Sequence, residues 1–277
     1  MNNKFKLPLL ASAMSLVSVS ANAELKALDD TVLSDMTGQA GITIELETAI
    51  DIGSVTYTDT DGHPIDVTPG AGSRTVSGIK IGGADFTTGK VAGLLDDIKI
   101  EIDLAADGDA VISINSVSGG TIDFGYHADS VTLSGTAGTD TLTTFSNIDL
   151  IGKLWEADLR VDTATDTLVA ELGFTIENLD FDMPYLSVGV RGLTVTSDGS
   201  AGITPTEFAS QGAVYAKLTL GGVDRNSDGI NDVLNITVAP LEADINIAAI
   251  EIGGTSIGSL AINDLVLSNT VLNVYGH

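Results

Sequence analysis

Along much of this chain every second residue is apolar. The alternation is unbroken in Ile98-Lys99-Ile100-Glu101-Ile102-Asp103-Leu104, and it recurs in Ile42/Ile44/Leu46, Ile79/Ile81, Val131/Leu133, Ile148/Leu150 and Ala157/Leu159/Val161. It continues through Leu172/Phe174/Ile176, Val214/Ala216/Leu218/Leu220, Leu234/Ile236/Val238, Ala243/Ile245/Ile247 and Leu272/Val274. A period of two sends alternate side chains to opposite faces of an extended backbone, whereas a helix repeats every 3.6 residues. About thirteen or more strands are implied. Short turn signals separate them, among them Gly82-Gly83, Asp107-Gly108-Asp109, Gly119-Gly120, Asp198-Gly199, Gly221-Gly222 and Gly253-Gly254. No helical pattern lies between the strands, which excludes an α/β architecture. The expected class is all-β, an elongated antiparallel or solenoid-like sheet structure of many short strands.

Composition supports a folded core and excludes several functions. Apolar residues make up 43% of the 277, enough to bury a core despite a net charge of -26. Twelve Lys and Arg against 38 Asp and Glu exclude a nucleic-acid binder, since a phosphate backbone must be met by clustered cations. The absence of cysteine removes disulfides, thiolate nucleophiles and Cys-ligated metal centres.

The first residues read as an export address. Lys4 and Lys6 precede an apolar run from Leu7, and Ala21-Asn22-Ala23 closes it with small residues, the three-part pattern of a signal peptide over 1–23. The run is too short to span a bilayer, and no later stretch predicts an integral membrane segment in the mature protein. Leu25, Leu28, Val32, Leu33 and Met36 then recur at helical spacing and Gly38 follows, predicting a short amphipathic helix over 26–36. The expected organisation is therefore a signal (1–23), a helix and hinge (24–41), and a single β domain (42–277). The expected location is the cell surface, the medium or the periplasm of a Gram-negative bacterium.

The string Leu25-Lys26-Ala27-Leu28-Asp29-Asp30, followed by Leu33-Ser34-Asp35-Met36-Thr37-Gly38-Gln39-Ala40-Gly41-Ile42, resembles the mature N-terminus of an uncharacterised family of secreted Gram-negative proteins. Some members of that family are labelled pilus-system (Fil) proteins. The resemblance covers the first 40 or so mature residues and the closing segment from Ser259. It implies a surface or filament-associated role, with pilus or surface-system proteins as partners, rather than a known chemistry.

One loop carries a metal-binding pattern. Asp224-Arg225-Asn226-Ser227-Asp228-Gly229-Ile230-Asn231-Asp232 sets oxygen-bearing side chains at alternate positions around a turn glycine, and hard cations take six to eight such oxygens. Asp224, Asn226, Asp228, the Ile230 carbonyl and Asp232 are the expected ligands, and calcium the expected ion. The loop resembles the calcium loops of thrombospondin-type and dockerin-type repeats, with Arg225 as a departure. Asp59-Thr60-Asp61-Gly62-His63 and Asp107-Gly108-Asp109 are shorter acidic turns, each with too few ligands alone.

Enzymatic chemistry finds no motif. His63, His127 and His277 stand in no metalloprotease spacing, and no G-x-S-x-G elbow is present. Trp155, the single tryptophan, reads as a packing residue. The terminal strands Ile42/Ile44/Leu46 and Leu272/Val274 suit donation to a neighbour's sheet edge. The expected function is that of an acidic, non-enzymatic structural protein at the surface, self-associating through strand pairing and calcium. The alternatives are a lipid- or glycan-binding β module and, behind it, a secreted hydrolase.

Overall fold

The computed structural model describes residues 41–59, 72–135, 140–225, 229 and 231–275. The signal over 1–23 and the helix expected over 26–36 lie outside these residues. The described strands, in chain order, are β1 (Ile42–Thr48), β2 (Ile50–Thr58), β3 (Ser73–Gly82), β4 (Ala84–Asp85), β5 (Lys90–Val91), β6 (Leu95–Leu104), β7 (Ala110–Ser116) and β8 (Ile122–Ser134). They continue with β9 (Thr141–Asp162), β10 (Thr167–Met183), β11 (Val188–Thr196), β12 (Val214–Val223), β13 (Val233–Val238), β14 (Leu241–Ile252), β15 (Thr255–Leu267) and β16 (Thr270–Val274). A 3-10 turn (Pro184–Leu186) and a one-turn helix α1 (Thr206–Ala209) complete the elements. Fourteen strands form one sheet and β4–β5 a separate hairpin. Every ladder is antiparallel, so the fold is all-β and antiparallel, and the large sheet does not close into a barrel.

The sheet is organised by the β9–β10 hairpin. At 22 and 17 residues these strands are long enough for each to serve two successive neighbours along its outer edge. β8 pairs with β9 from Thr141 to Leu154, and β7 takes over from Ala157 to Val161. On the other side, β12 pairs with β10 from Thr167 to Phe174, and β11 from Ile176 to Met183. Two ladders therefore share one hairpin. One runs β2-β3-β8-β9-β10-β11-β14-β15, the other β1-β6-β7-β9-β10-β12-β13-β16.

Bulges in the hairpin let the ladders part. Leu154 pairs with Phe174 and Glu156 with Gly173, leaving Trp155 as the extra residue of β9. A second shift between Ile176 and Asn178 makes Glu177 the extra residue of β10. A bulge bends its strand and increases its twist, which allows one strand to pass from one sheet to another. It also reverses side-chain parity. The apolar positions of β9 are even in Ile148, Leu150 and Leu154 and odd in Ala157, Leu159 and Val161, so the sequence reads as two strands where the structure has one.

Gly221-Gly222 departs from its expected role as a turn. Both residues lie inside β12 and pair with Asn235 and Leu234. A Cβ on Gly222 would come within 2.7 Å of the Asn231 side chain, so the position is glycine because the following loop folds against the strand.

The core follows the shared hairpin and its neighbours, where Ile79, Ile98, Ile122, Ile151, Val190 and Val214 are buried. The β4–β5 hairpin lies over one face of β9, with the Phe86 ring 4.9 Å from Lys153 Nζ and Lys90 Nζ 3.4 Å from Asp149. On β10, Gly173 makes room for α1: a Cβ there would stand 2.1 Å from the Phe208 ring, which stacks on Tyr215 at 5.3 Å.

Candidate functional site

The expected calcium loop joins β12 to β13. Asn226, Asp228 and Ile230 lie outside the described residues, so the set of five is not seen together. Of the two described acids, Asp224 accepts the Gly229 N–H through Oδ2 at 2.7 Å, and Asp232 accepts the Arg225 N–H through Oδ1 at 3.0 Å. These bonds satisfy loop N–H groups that would otherwise face solvent. The guanidinium of Arg225 stacks on the Tyr275 ring at 4.4 Å and so ties the loop to the segment after β16.

The shorter acidic turns divide. Asp61 and His63 lie outside the described residues. Asp109 is buried and serves as a staple: its Oδ1 accepts from Thr163 N at 2.9 Å and Thr163 Oγ1 at 3.0 Å, while its Oδ2 accepts from Arg160 Nε at 2.7 Å. The turn after β6 is thereby fixed to the turn after β9. The Thr163 backbone bond, followed by Arg160, lowers the Asp109 pKa below the ordinary carboxylate value.

His127, on β8, is held between two acids. Its Nδ1 lies 2.8 Å from Asp149 Oδ1 and its Nε2 3.1 Å from Asp129 Oδ1. Burial disfavours its charged form, but the bonds to Asp129 and Asp149 outweigh that and raise its pKa. Both ring nitrogens face carboxylates, so the arrangement locks β8 to β9 and leaves neither nitrogen aimed at a serine hydroxyl.

The terminal strands are placed at sheet edges. β1 pairs with β6 through Ile42 to Thr48, and β16 pairs with β13 through Thr270 to Val274. Among the described residues, each of β1, β2, β15 and β16 pairs along one side only. Apolar side chains stay exposed on all four, including Ile42, Tyr57, Ile257, Val271 and Val274. Unpaired strand edges present backbone donors and acceptors to any chain that approaches them. Such edges normally carry charge or proline. Here β15 has Asp264 as its one charged residue, and β16 has none.

Three acids that no local pattern links also converge. Asp198 follows β11, Glu242 opens β14 and Asp264 lies late in β15, yet one carboxylate oxygen from each lies within 4.8 Å of the others. Asp198-Gly199 reads in the sequence as a turn and the other two as ordinary strand acids. Only the β14–β15 pairing and the return of the loop after β11 bring them together.

A family model described as a family of unknown function (DUF6160) matches residues 1–106. That span takes in β1 to β6 and is consistent with an uncharacterised family. No curated protein and no solved structure matches the chain. Among the described residues, no helix is long and apolar enough to cross a membrane.

Proposed function

We propose that this is an exported structural protein of the cell surface, non-enzymatic, which assembles head to tail by joining the N-terminal edge of one copy to the C-terminal edge of the next. The supporting observation is the arrangement of edges. Both ladders begin at an N-terminal strand, β1 or β2, and end at a C-terminal strand, β16 or β15. Because each ladder holds an even number of strictly alternating strands, its two edge strands run in opposite directions. A second copy in the same orientation therefore presents an antiparallel partner in both ladders at once. Repeating that join gives an open filament rather than a closed ring of two, because the surfaces that meet are different ones. The low charge of β15 and β16 suits the role in a chain whose net charge of -26 otherwise repels its own kind. The resemblance of the N-terminus to proteins labelled as pilus-system components supports the same reading.

Cysteine chemistry tests it cleanly, since the chain has none. In the double variant Ser54→Cys with Ser256→Cys, oxidation of the assembled protein should yield a ladder of disulfide-linked multimers. Each single variant should stay largely uncrosslinked. Dimers from a single variant would show edges meeting like to like, and a purely monomeric double variant at high concentration would overturn assembly. Placing acids on the edge, as in Ile257→Glu with Val271→Glu, should abolish sedimentable material while leaving the β circular-dichroism spectrum intact.

A further inference from the structure

Glu242 is the one place among the described residues where a buried side-chain oxygen lacks a partner. The residue is 1% exposed, and its Oε2 has no hydrogen-bond partner. Its other oxygen, Oε1, accepts from Ala201 N at 2.9 Å and from Ser200 Oγ at 3.3 Å. A carboxylate oxygen stripped of water and left unpaired is strongly destabilising, and such groups persist where something neutralises them. Among the described residues, no Lys or Arg forms an ion pair with Glu242, Asp198 or Asp264.

A set of hard ligands gathers around the Glu242 carboxylate. Besides the three carboxylates there is Ser200, whose N–H donates to Asp198 Oδ1 at 2.8 Å. The Ser200 hydroxyl stands close to both Asp264 Oδ1 and Glu242 Oε1, yet it carries a single proton and can donate to one of them at a time. Asp264 is held in place by its own N–H, which donates to Asp244 Oδ1 at 2.8 Å, and by a left-handed backbone at φ 55 that turns its side chain out of the strand pattern. Thus a loop, β14 and β15 each contribute an acid, and the local backbone is bent to do so.

We infer that Asp198, Glu242 and Asp264 form a binding site for a hard divalent cation, best suited to calcium, with Ser200 Oγ as a further oxygen ligand. Oxygens about 2.3 to 2.6 Å from one centre lie no more than about 5 Å apart, which the three carboxylates satisfy. The all-oxygen set excludes soft metals. Buried Glu242 forms the floor of the site, while Asp198 and Asp264 are exposed, so water completes the shell from the open side. That geometry suits calcium, which tolerates irregular coordination, over magnesium, which demands a near-ideal octahedron. A half-open site of this kind matches the affinity of extracellular calcium modules, about 10⁻⁴ to 10⁻³ M. The bound ion would pin the loop after β11 onto the free edge strand β15. This site is separate from the loop between β12 and β13 and does not depend on assembly.

Calcium itself is the probe, titrated calorimetrically into full-length mature protein stripped with chelator, and followed in parallel by melting temperature. Wild type should bind calcium and melt higher in millimolar calcium. Glu242→Gln, which keeps the side chain's shape, and Asp198→Asn, which changes an exposed group, should each weaken binding at least about tenfold. Both should lose the calcium-dependent rise in melting temperature. In chelator, Glu242→Gln should melt no lower than wild type, because the substitution removes the unpaired charge. Asp232→Asn, in the other loop, should leave this binding unchanged. Loss of binding in Asp232→Asn with retention in Glu242→Gln would overturn the assignment, as would wild-type protein that takes up no calcium.

Discussion

Arg160 on β9 donates through Nε to Asp109 Oδ2 at 2.7 Å, and the carboxylate that receives it is 2% exposed. The pair joins residues distant in sequence and sits where two hairpin turns meet. Since the native contacts lower the Asp109 pKa, its contribution to stability is complete above the unfolded value of about 3.9 and is lost as pH falls through the folded value. Asp109→Asn should therefore lower the melting temperature at neutral pH, with the gap to wild type closing on acidification. A gap of constant size across that range would mean that the charge is not what the position uses.

His127 has the opposite dependence. Its pKa is raised, so the stability it gives is fully present below the ordinary imidazole value of about 6.5 and fades as pH rises through the folded value. In a series of thermal melts, His127→Gln should be furthest below wild type on the acid side and approach it in mild alkali. The reverse order would show that burial of the neutral ring dominates at this site.

Gly173 and Phe208 form a close contact that leaves no room for a methyl group. Gly173→Ala should destabilise the fold by about 1 to 3 kcal/mol, as overpacking does. Adding Phe208→Leu should recover part of the loss. Denaturant melts of the two variants provide the check, and additive losses would show that the ring is not what the methyl group meets.

Two isoleucines separate the core from the edge. Ile151 is 2% exposed and Ile257 is 63% exposed. Ile151→Ala should cost about 2 to 5 kcal/mol in equilibrium unfolding. Ile257→Ala should stay within about 0.5 kcal/mol at concentrations where the protein is monomeric. A large loss at Ile257 under those conditions would mean that this edge is already covered within a single copy.

The fold class is legible because alternation survives in almost every strand, and Ile98 to Leu104 alone specifies a half-buried strand. What the sequence conceals is any feature that breaks the count. Trp155 and Glu177 each add one residue to a strand, reversing its parity, so β9 reads as two pieces and the hairpin shared by both ladders is invisible. Gly221-Gly222 carries a turn signature, yet it marks the space that Asn231 occupies. The β2 and β7 segments escape notice because Gly53 interrupts the alternation of the first and Val111 beside Ile112 blurs that of the second. The acids fare the same way. Asp224 to Asp232 is conspicuous because its oxygens are neighbours in sequence, whereas Asp198, Glu242 and Asp264 are neighbours only after β14 and β15 have paired.

The shared hairpin also determines how this protein would bear a pull. Tension applied from the N-terminal edge to the C-terminal edge runs across the strands, along the hydrogen bonds of the ladders. Because β9 and β10 belong to both ladders, the two ladders are loaded in parallel through the longest seam in the molecule, while each outer seam carries only its own share. The shortest edge strand is β16, with 5 residues against the 22 of β9. Under load the molecule should give way by shedding β16, leaving its centre intact and able to take the strand back when the force relaxes.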